Sequence, residues 1–187
     1  DSDYDYDKVW AKCMELGVAV TFHIGPGGIG NESVSNYVYN HVGGLAYGQH
    51  KLCKAMFMGG VTKRFPKLNM AFLESGVGWA CSLYGDLISH WEKRNAKAIL
   101  NLDPARLDRV RANDLVRQYA DERTMPYVGD LRELAGSDSR PEQLNEFAAV
   151  GIERGEQFVE RFAEPFYFGC EADDPMTAQA FATKINP

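Results

Sequence analysis

Val18-Ala19-Val20-Thr21-Phe22-His23-Ile24 is the stretch whose reading decides the fold. It is apolar, β-branched and of strand length, and its near-continuous hydrophobicity suits a strand covered on both faces. On its N-terminal side, Asp7 is positioned to cap a helix running to about Glu15, with Val9, Cys13 and Leu16 spaced for one buried face and Gly17 to end it. On its C-terminal side, Gly25 to Asn36 is a glycine-rich loop. Leu45 to Met58 then reads as a helix, with Leu45, Leu52, Cys53 and Met56 on one side and Gly59-Gly60 to stop it. A turn at Arg64-Phe65-Pro66-Lys67 leads into a second buried strand, Leu68 to Leu73, which runs into Glu74-Ser75-Gly76-Val77-Gly78. Trp79, Leu83, Leu87 and Trp91 recur at helical spacing and predict a long helix after it. This alternation of helix and strand predicts βαβ units and a parallel sheet, so the fold class is α/β.

Further along, residues 96–140 are polar and mixed, with helical stretches from Pro104 to Glu122 and a turn near Pro126. They read as an insertion or cap within a single domain over 1–187. Leu144, Ala148, Gly151, Ile152, Val159 and Phe162 predict another amphipathic helix, ended by Pro165. Phe166 to Cys170 is a third short apolar strand, and a helix from Met176 to about Lys184 follows it. The chain has 187 residues and is 45% hydrophobic, enough to bury a core. It is nevertheless short for a complete eight-unit barrel of about 250 residues. It opens on Asp1 and stops at Pro187 just after an apparent helix, and both ends read as cuts within a larger domain.

The formal net charge of −6, with no run of Lys and Arg, argues against a nucleic-acid partner. No apolar stretch approaches the roughly 18–20 residues of a membrane span, and no export signal is visible. The four cysteines, Cys13, Cys53, Cys81 and Cys170, are far apart and form no CxxC pair. They read as reduced thiols of a cytoplasmic protein.

In a parallel α/β fold the C-terminal edge of the sheet is where ligands meet loops. His23 ends the first strand there, and a neutral imidazole at that edge is a good metal ligand, or else a loop histidine bonded to backbone. Glu74 ends the second strand and reads as a metal ligand, a general base or a substrate anchor, or as a cap for the glycine-rich turn after it. Glu171, Asp173 and Asp174 follow the third strand; three carboxylates in four residues can bind a cation, although Asp173 or Asp174 also suits the cap of a helix begun at Pro175. His41 lies in the loop region after the His23 strand and can face the same pocket. His50 and His90 fall on predicted helices. Gly25-Pro26-Gly27-Gly28-Ile29-Gly30 matches a dinucleotide-binding GxGxxG literally, but Asn31 to Asn36 directly after it lacks an apolar helical face. No acidic residue lies between Glu32 and Glu74 to hold a ribose. The segment reads better as a loop over an active-site mouth.

Three pieces together resemble the amidohydrolase-related (amidohydrolase 2) family: Val20-Thr21-Phe22-His23-Ile24-Gly25, then Arg64-Phe65-Pro66-Lys67-Leu68, then Phe72-Leu73-Glu74-Ser75-Gly76-Val77-Gly78-Trp79. Phe168-Gly169-Cys170-Glu171-Ala172-Asp173-Asp174-Pro175 is similar to a subgroup sequence of the same family. The resemblance covers most of the chain except about 96–140. It implies a partial (β/α)₈ TIM-like barrel, about strands five to seven with flanking helices. It also implies a divalent metal, zinc or alternatively manganese, at the C-terminal face. His23 matches the metal-ligand histidine of strand five. The family's sixth-strand histidine would fall near Glu74 or Ser75, and neither is histidine here; Glu74 either substitutes as the catalytic group or positions substrate. Glu171, Asp173 and His41 would contact substrate. The family's strand-one ligand pair is absent from this chain, and its final Asp ligand would come after Pro187. The activity implied is metal-dependent hydrolysis of a small carboxylate-bearing or cyclic substrate. Non-oxidative decarboxylation, or a non-catalytic fragment that only binds, are the alternatives, and a homodimer is the assembly expected.

Overall fold

In the computed structural model the described residues are 4–23, 33, 35–130 and 144–187. They fall into two compact units: Asp1–Glu92 with Phe147–Pro187, and Lys93–Glu146. The elements, in chain order, are α1 (Asp7–Leu16), β1 (Val20–Phe22), α2 (Tyr37–His41), α3 (Gly44–Met58), α4 (Val61–Arg64), β2 (Met70–Phe72), α5 (Gly78–Arg94), α6 (Arg109–Tyr119), β3 (Phe166–Phe168) and α7 (Thr177–Ala182). The three strands form one parallel sheet in the order β1-β2-β3, with Phe22 opposite Phe72 and Phe72 opposite Phe168. Beyond β3 the ladder continues to a parallel bridge between Tyr167 and Asn186, where the Phe168 N–H donates to the Asn186 carbonyl at 2.9 Å.

Strands this short carry few ladder bonds, each contributing about 1 kcal/mol net. The aromatic face of the sheet contributes more, at roughly 1.5–3 kcal/mol per buried ring. In-register pairing stacks Phe22 on Phe72 at 5.2 Å and Phe72 on Phe168 at 5.6 Å. Trp79 meets both Phe72 and Phe168 edge-on, and Phe57, Phe158 and Phe162 complete the buried cluster.

The expectation of a strand covered on both faces is corrected here. Met70, Phe72, Phe166 and Phe168 are fully buried, whereas Thr21 and Tyr167 on the alternate face are exposed. The helical residues of the core cluster collect against the phenylalanine face.

Two further expectations also change. Asp7 does not cap α1. Its carboxylate accepts two bonds from the Arg64 guanidinium, at 2.8 and 2.9 Å, and α1 starts after Tyr6 with no side-chain cap. Its packed face is Trp10, Cys13 and Met14, while Val9 and Leu16 are exposed, because Trp10 turns edge-on to Phe22. Gly17 does close the helix, at φ 65°. The single helix expected from Leu144 to Phe162 is also not formed. Gly151 takes a φ of 66°, and the Gln157 side chain accepts from the N–H groups of Glu153 and Arg154, so the chain turns before Val159–Ala163 winds as π-helix.

In the second unit, the stretch expected to be helical from Pro104 divides into a 3₁₀ turn, Pro104–Arg106, and α6. Asp103 and Asp108 cap the two pieces, each accepting a backbone N–H at 2.9 Å. Among the described residues no helix is long and apolar enough to cross a membrane.

Candidate functional site

Each strand of a parallel sheet delivers its following residue to the same edge. His23 follows β1 directly, and Glu74 follows β2 after Leu73. By strand alternation His23 belongs to the exposed face it shares with Thr21, not to the phenylalanine face. The structure brings the two residues together: His23 Nε2 and Glu74 Oε2 are 2.9 Å apart. Both side chains are more than half exposed, at 54% and 66%.

Glu74 has a φ of 54°, in the left-handed region. For a residue with a Cβ that conformation costs roughly 1–2 kcal/mol. The turn that imposes it is well defined. The Ser75 and Gly76 N–H groups both donate to the Gly169 carbonyl at 3.2 Å, and Gly76 continues at φ 70°. Gly169 itself donates to the Phe72 carbonyl at 2.7 Å, and a side chain on it would press on the backbone of Leu73 and Glu74. A contact this exposed, charged or neutral, returns at most about 1 kcal/mol. The pair therefore does not fully offset its own backbone strain, and a residue held in this conformation is a candidate functional position.

Behind this edge lies a buried polar network. Gln49, on α3, is fully buried. Its Nε2 donates to the Leu73 carbonyl at 2.7 Å and approaches the Phe22 carbonyl at 3.5 Å, the outer limit of a hydrogen bond. Its Oε1 accepts from Ser75 Oγ at 2.8 Å, and Ser75 Oγ accepts from Trp79 Nε1 at 3.2 Å. Sequence reasoning missed this set. The available signal was an uncharged polar residue one turn before Leu52 and Cys53 on the apolar stripe of a helix.

The carboxylates after β3 divide by role. Asp174 is structural: Oδ1 accepts from Met176 N at 2.8 Å and Oδ2 from Val77 N at 3.1 Å, so it ties the turn after β2 to the segment entering α7. Glu171 and Asp173 are exposed. His41 ends α2 and stacks on Tyr37, with ring centroids 5.2 Å apart. Among the described residues no hydrogen bond or ion pair joins His41, Glu171 or Asp173 to the His23–Glu74 pair. The Gly25–Gly30 loop lies outside the described residues.

His50 stands edge-on to Trp79 at 6.1 Å. Burial holds its imidazole below the usual value of 6.5, the Lys54 charge adds to the effect, and Asp86 opposes it. A cavity of about 230 Å³ opens at the opposite end of the strands, beside Cys13, Val18, Lys67 and Asn69. That is smaller than the roughly 300–1,000 Å³ of ordinary ligand pockets.

A catalytic zinc takes three protein ligands and a water. His23 Nε2 and Glu74 Oε2 are two donors of the right kind, and their mutual hydrogen bond would have to give way to a cation. Among the described residues no group of three His, Cys, Asp or Glu side chains comes together. The described residues thus form an incomplete ligand set. No family model, curated protein or solved structure matches the chain.

Proposed function

We propose that this chain carries part of the active site of a metal-dependent hydrolase of the amidohydrolase-related kind, acting on a small carboxylate-bearing or cyclic substrate in the cytoplasm. In this reading the sheet is a stretch of a (β/α)₈ barrel, with the exposed face of Thr21 and Tyr167 turned inward. The observation that carries the proposal is the strained, exposed Glu74 held against His23 at the C-terminal edge of a parallel sheet. The sheet order β1-β2-β3, extended by the Asn186 bridge, is compatible with it. Zinc, or manganese in its place, would supply Lewis-acid polarisation of the substrate or a water of lowered pKa. At least one further ligand would have to come from outside the described residues.

The work of the chain's own residues is local. The His23 imidazole offers Nε2 as a donor atom. Glu74 can accept a proton from that nitrogen or from a substrate held above it, which is the geometry of an acid–base pair. Glu171 and Asp173, exposed on the loop after β3, are the candidates for contact with substrate, together with His41. Non-oxidative decarboxylation uses the same elements and is the alternative reaction. A homodimer is the assembly we propose with it.

The test is metal content per chain after purification without chelators, for the wild type and for His23→Ala. Stoichiometric zinc or manganese that disappears in His23→Ala is the expected result. A wild type that carries no metal overturns the reading that this chain completes a metal site by itself, and leaves it a piece of an enzyme whose function lies in a longer protein.

A further inference from the structure

We propose that Gln49 is a positioning residue for the His23–Glu74 pair, acting through the backbone on either side of both side chains. Its amide donates to the carbonyl of Leu73, the residue before Glu74, and accepts from the hydroxyl of Ser75, the residue after it. The same Nε2 approaches the carbonyl of Phe22, the residue before His23. One rigid group thus clamps Glu74 from both sides and touches the end of the strand that presents His23.

A glutamine at a fully buried position on an apolar helix face is costly to desolvate unless its bonds are made. Leucine would fill the same space without that cost. The amide is used where the β1–β2 ladder ends, past the last regular pair Phe22–Phe72, beside the last backbone bond from the Leu73 N–H to the Phe22 carbonyl at 2.9 Å. Trp79 donates to Ser75 Oγ and so fixes the hydroxyl that orients the amide. The left-handed turn at Glu74 is the element this clamp holds in place.

The importance of this role rests on the pair being the working site, but its test does not require turnover or metal. The probe is the ring-nitrogen NMR signal of His23 in four chains: wild type, Glu74→Gln, Gln49→Met and the double variant. In the wild-type background Glu74→Gln displaces the His23 Nε2 signal, because the partner 2.9 Å away changes from carboxylate to amide. In the Gln49→Met background the same substitution is expected to displace it several-fold less. A folded Gln49→Met chain that keeps the full displacement overturns the proposal. So does a chain in which the melting temperature falls but the displacement is intact, since that is a packing role alone. Should Gln49→Met not fold, Ser75→Ala gives the same readout, and an undiminished displacement there overturns the proposal equally. Absence of metal from the wild type would bear only on whether this chain completes the proposed metal site, and would leave this coupling measurement standing.

Discussion

Replacing Glu74 by glycine and by alanine separates backbone strain from side-chain contact. Both variants lose the His23 contact, so that contribution, at most about 1 kcal/mol for a pair this exposed, cancels in their difference. The difference that remains is in the backbone. Alanine keeps the Cβ and the left-handed penalty of roughly 1–2 kcal/mol at φ 54°. Glycine removes that penalty but has more unfolded-state freedom to lose, costing about 0.5–1 kcal/mol. The balance favours Glu74→Gly over Glu74→Ala by about 0.5–1 kcal/mol. At an ordinary position alanine wins by a similar amount, so the sign of the difference is the test. Urea unfolding followed by tryptophan fluorescence reads the relevant unit, because Trp10, Trp79 and Trp91 all lie within Asp1–Glu92. With a slope of about 1–3 kcal/mol/M, the glycine midpoint should exceed the alanine midpoint by a few tenths of a molar unit. A glycine variant that unfolds at or below the alanine midpoint refutes the assignment of strain to Glu74. Both variants should also lose whatever metal the wild type binds.

Two other substitutions test the surroundings of the site. Asp174→Ala removes the acceptor for Met176 N and Val77 N together, and should cost about 1–2 kcal/mol in the same urea experiment, with Asp174→Asn recovering part of it; no change would mean the two bonds are not both made in solution. For His50, burial and then Lys54 lower the folded-state value below 6.5, so between those two values the unfolded chain binds more protons than the folded one. Stability then rises with pH through that window and falls as pH drops below about 6.5. His50→Gln should flatten this part of a melting-temperature profile, and an unchanged slope would remove His50 as its source.

The parts of the fold that were legible depend on local pattern. The apolar runs around Val20–Phe22, Met70–Phe72 and Phe166–Phe168 became parallel strands, and Trp79, Leu83, Leu87 and Trp91 fell on α5. Errors arose where a tertiary partner outweighed the pattern. Val9, Cys13 and Leu16 are as plausible a stripe as Trp10, Cys13 and Met14 until Phe22 is present to receive the tryptophan. Asp7 reads as a cap until Arg64, 57 positions away, claims both its oxygens. The Leu144–Phe162 periodicity is real, but Gly151 at φ 66° and the Gln157 acceptor commit those residues to a turn. The runs themselves do not reveal which face stays open, because Thr21, Ala71 and Tyr167 are all compatible with burial.

For the site, position was legible and conformation was not. His23 and Glu74 could be assigned to one edge because each ends an apolar run, and a parallel sheet aligns its strand ends. Nothing in Leu73-Glu74-Ser75-Gly76 announces that the left-handed residues are both Glu74 and Gly76, since glycine alone is the expected bearer of positive φ. That conformation comes from Gly169, whose carbonyl receives two successive N–H groups and which lies almost a hundred residues downstream. The same distance in sequence separates Asp174 from Val77. Gln49 was missed, although it stands as a polar residue on an apolar stripe, and the general lesson is chemical: a buried amide must find both donors and acceptors, and the ends of strands are where unpaired backbone groups of both kinds occur. An uncharged polar residue one turn from a helix core position, in a chain whose strand ends carry histidine and glutamate, is therefore a candidate for holding those ends in place on the strength of its amino-acid sequence alone.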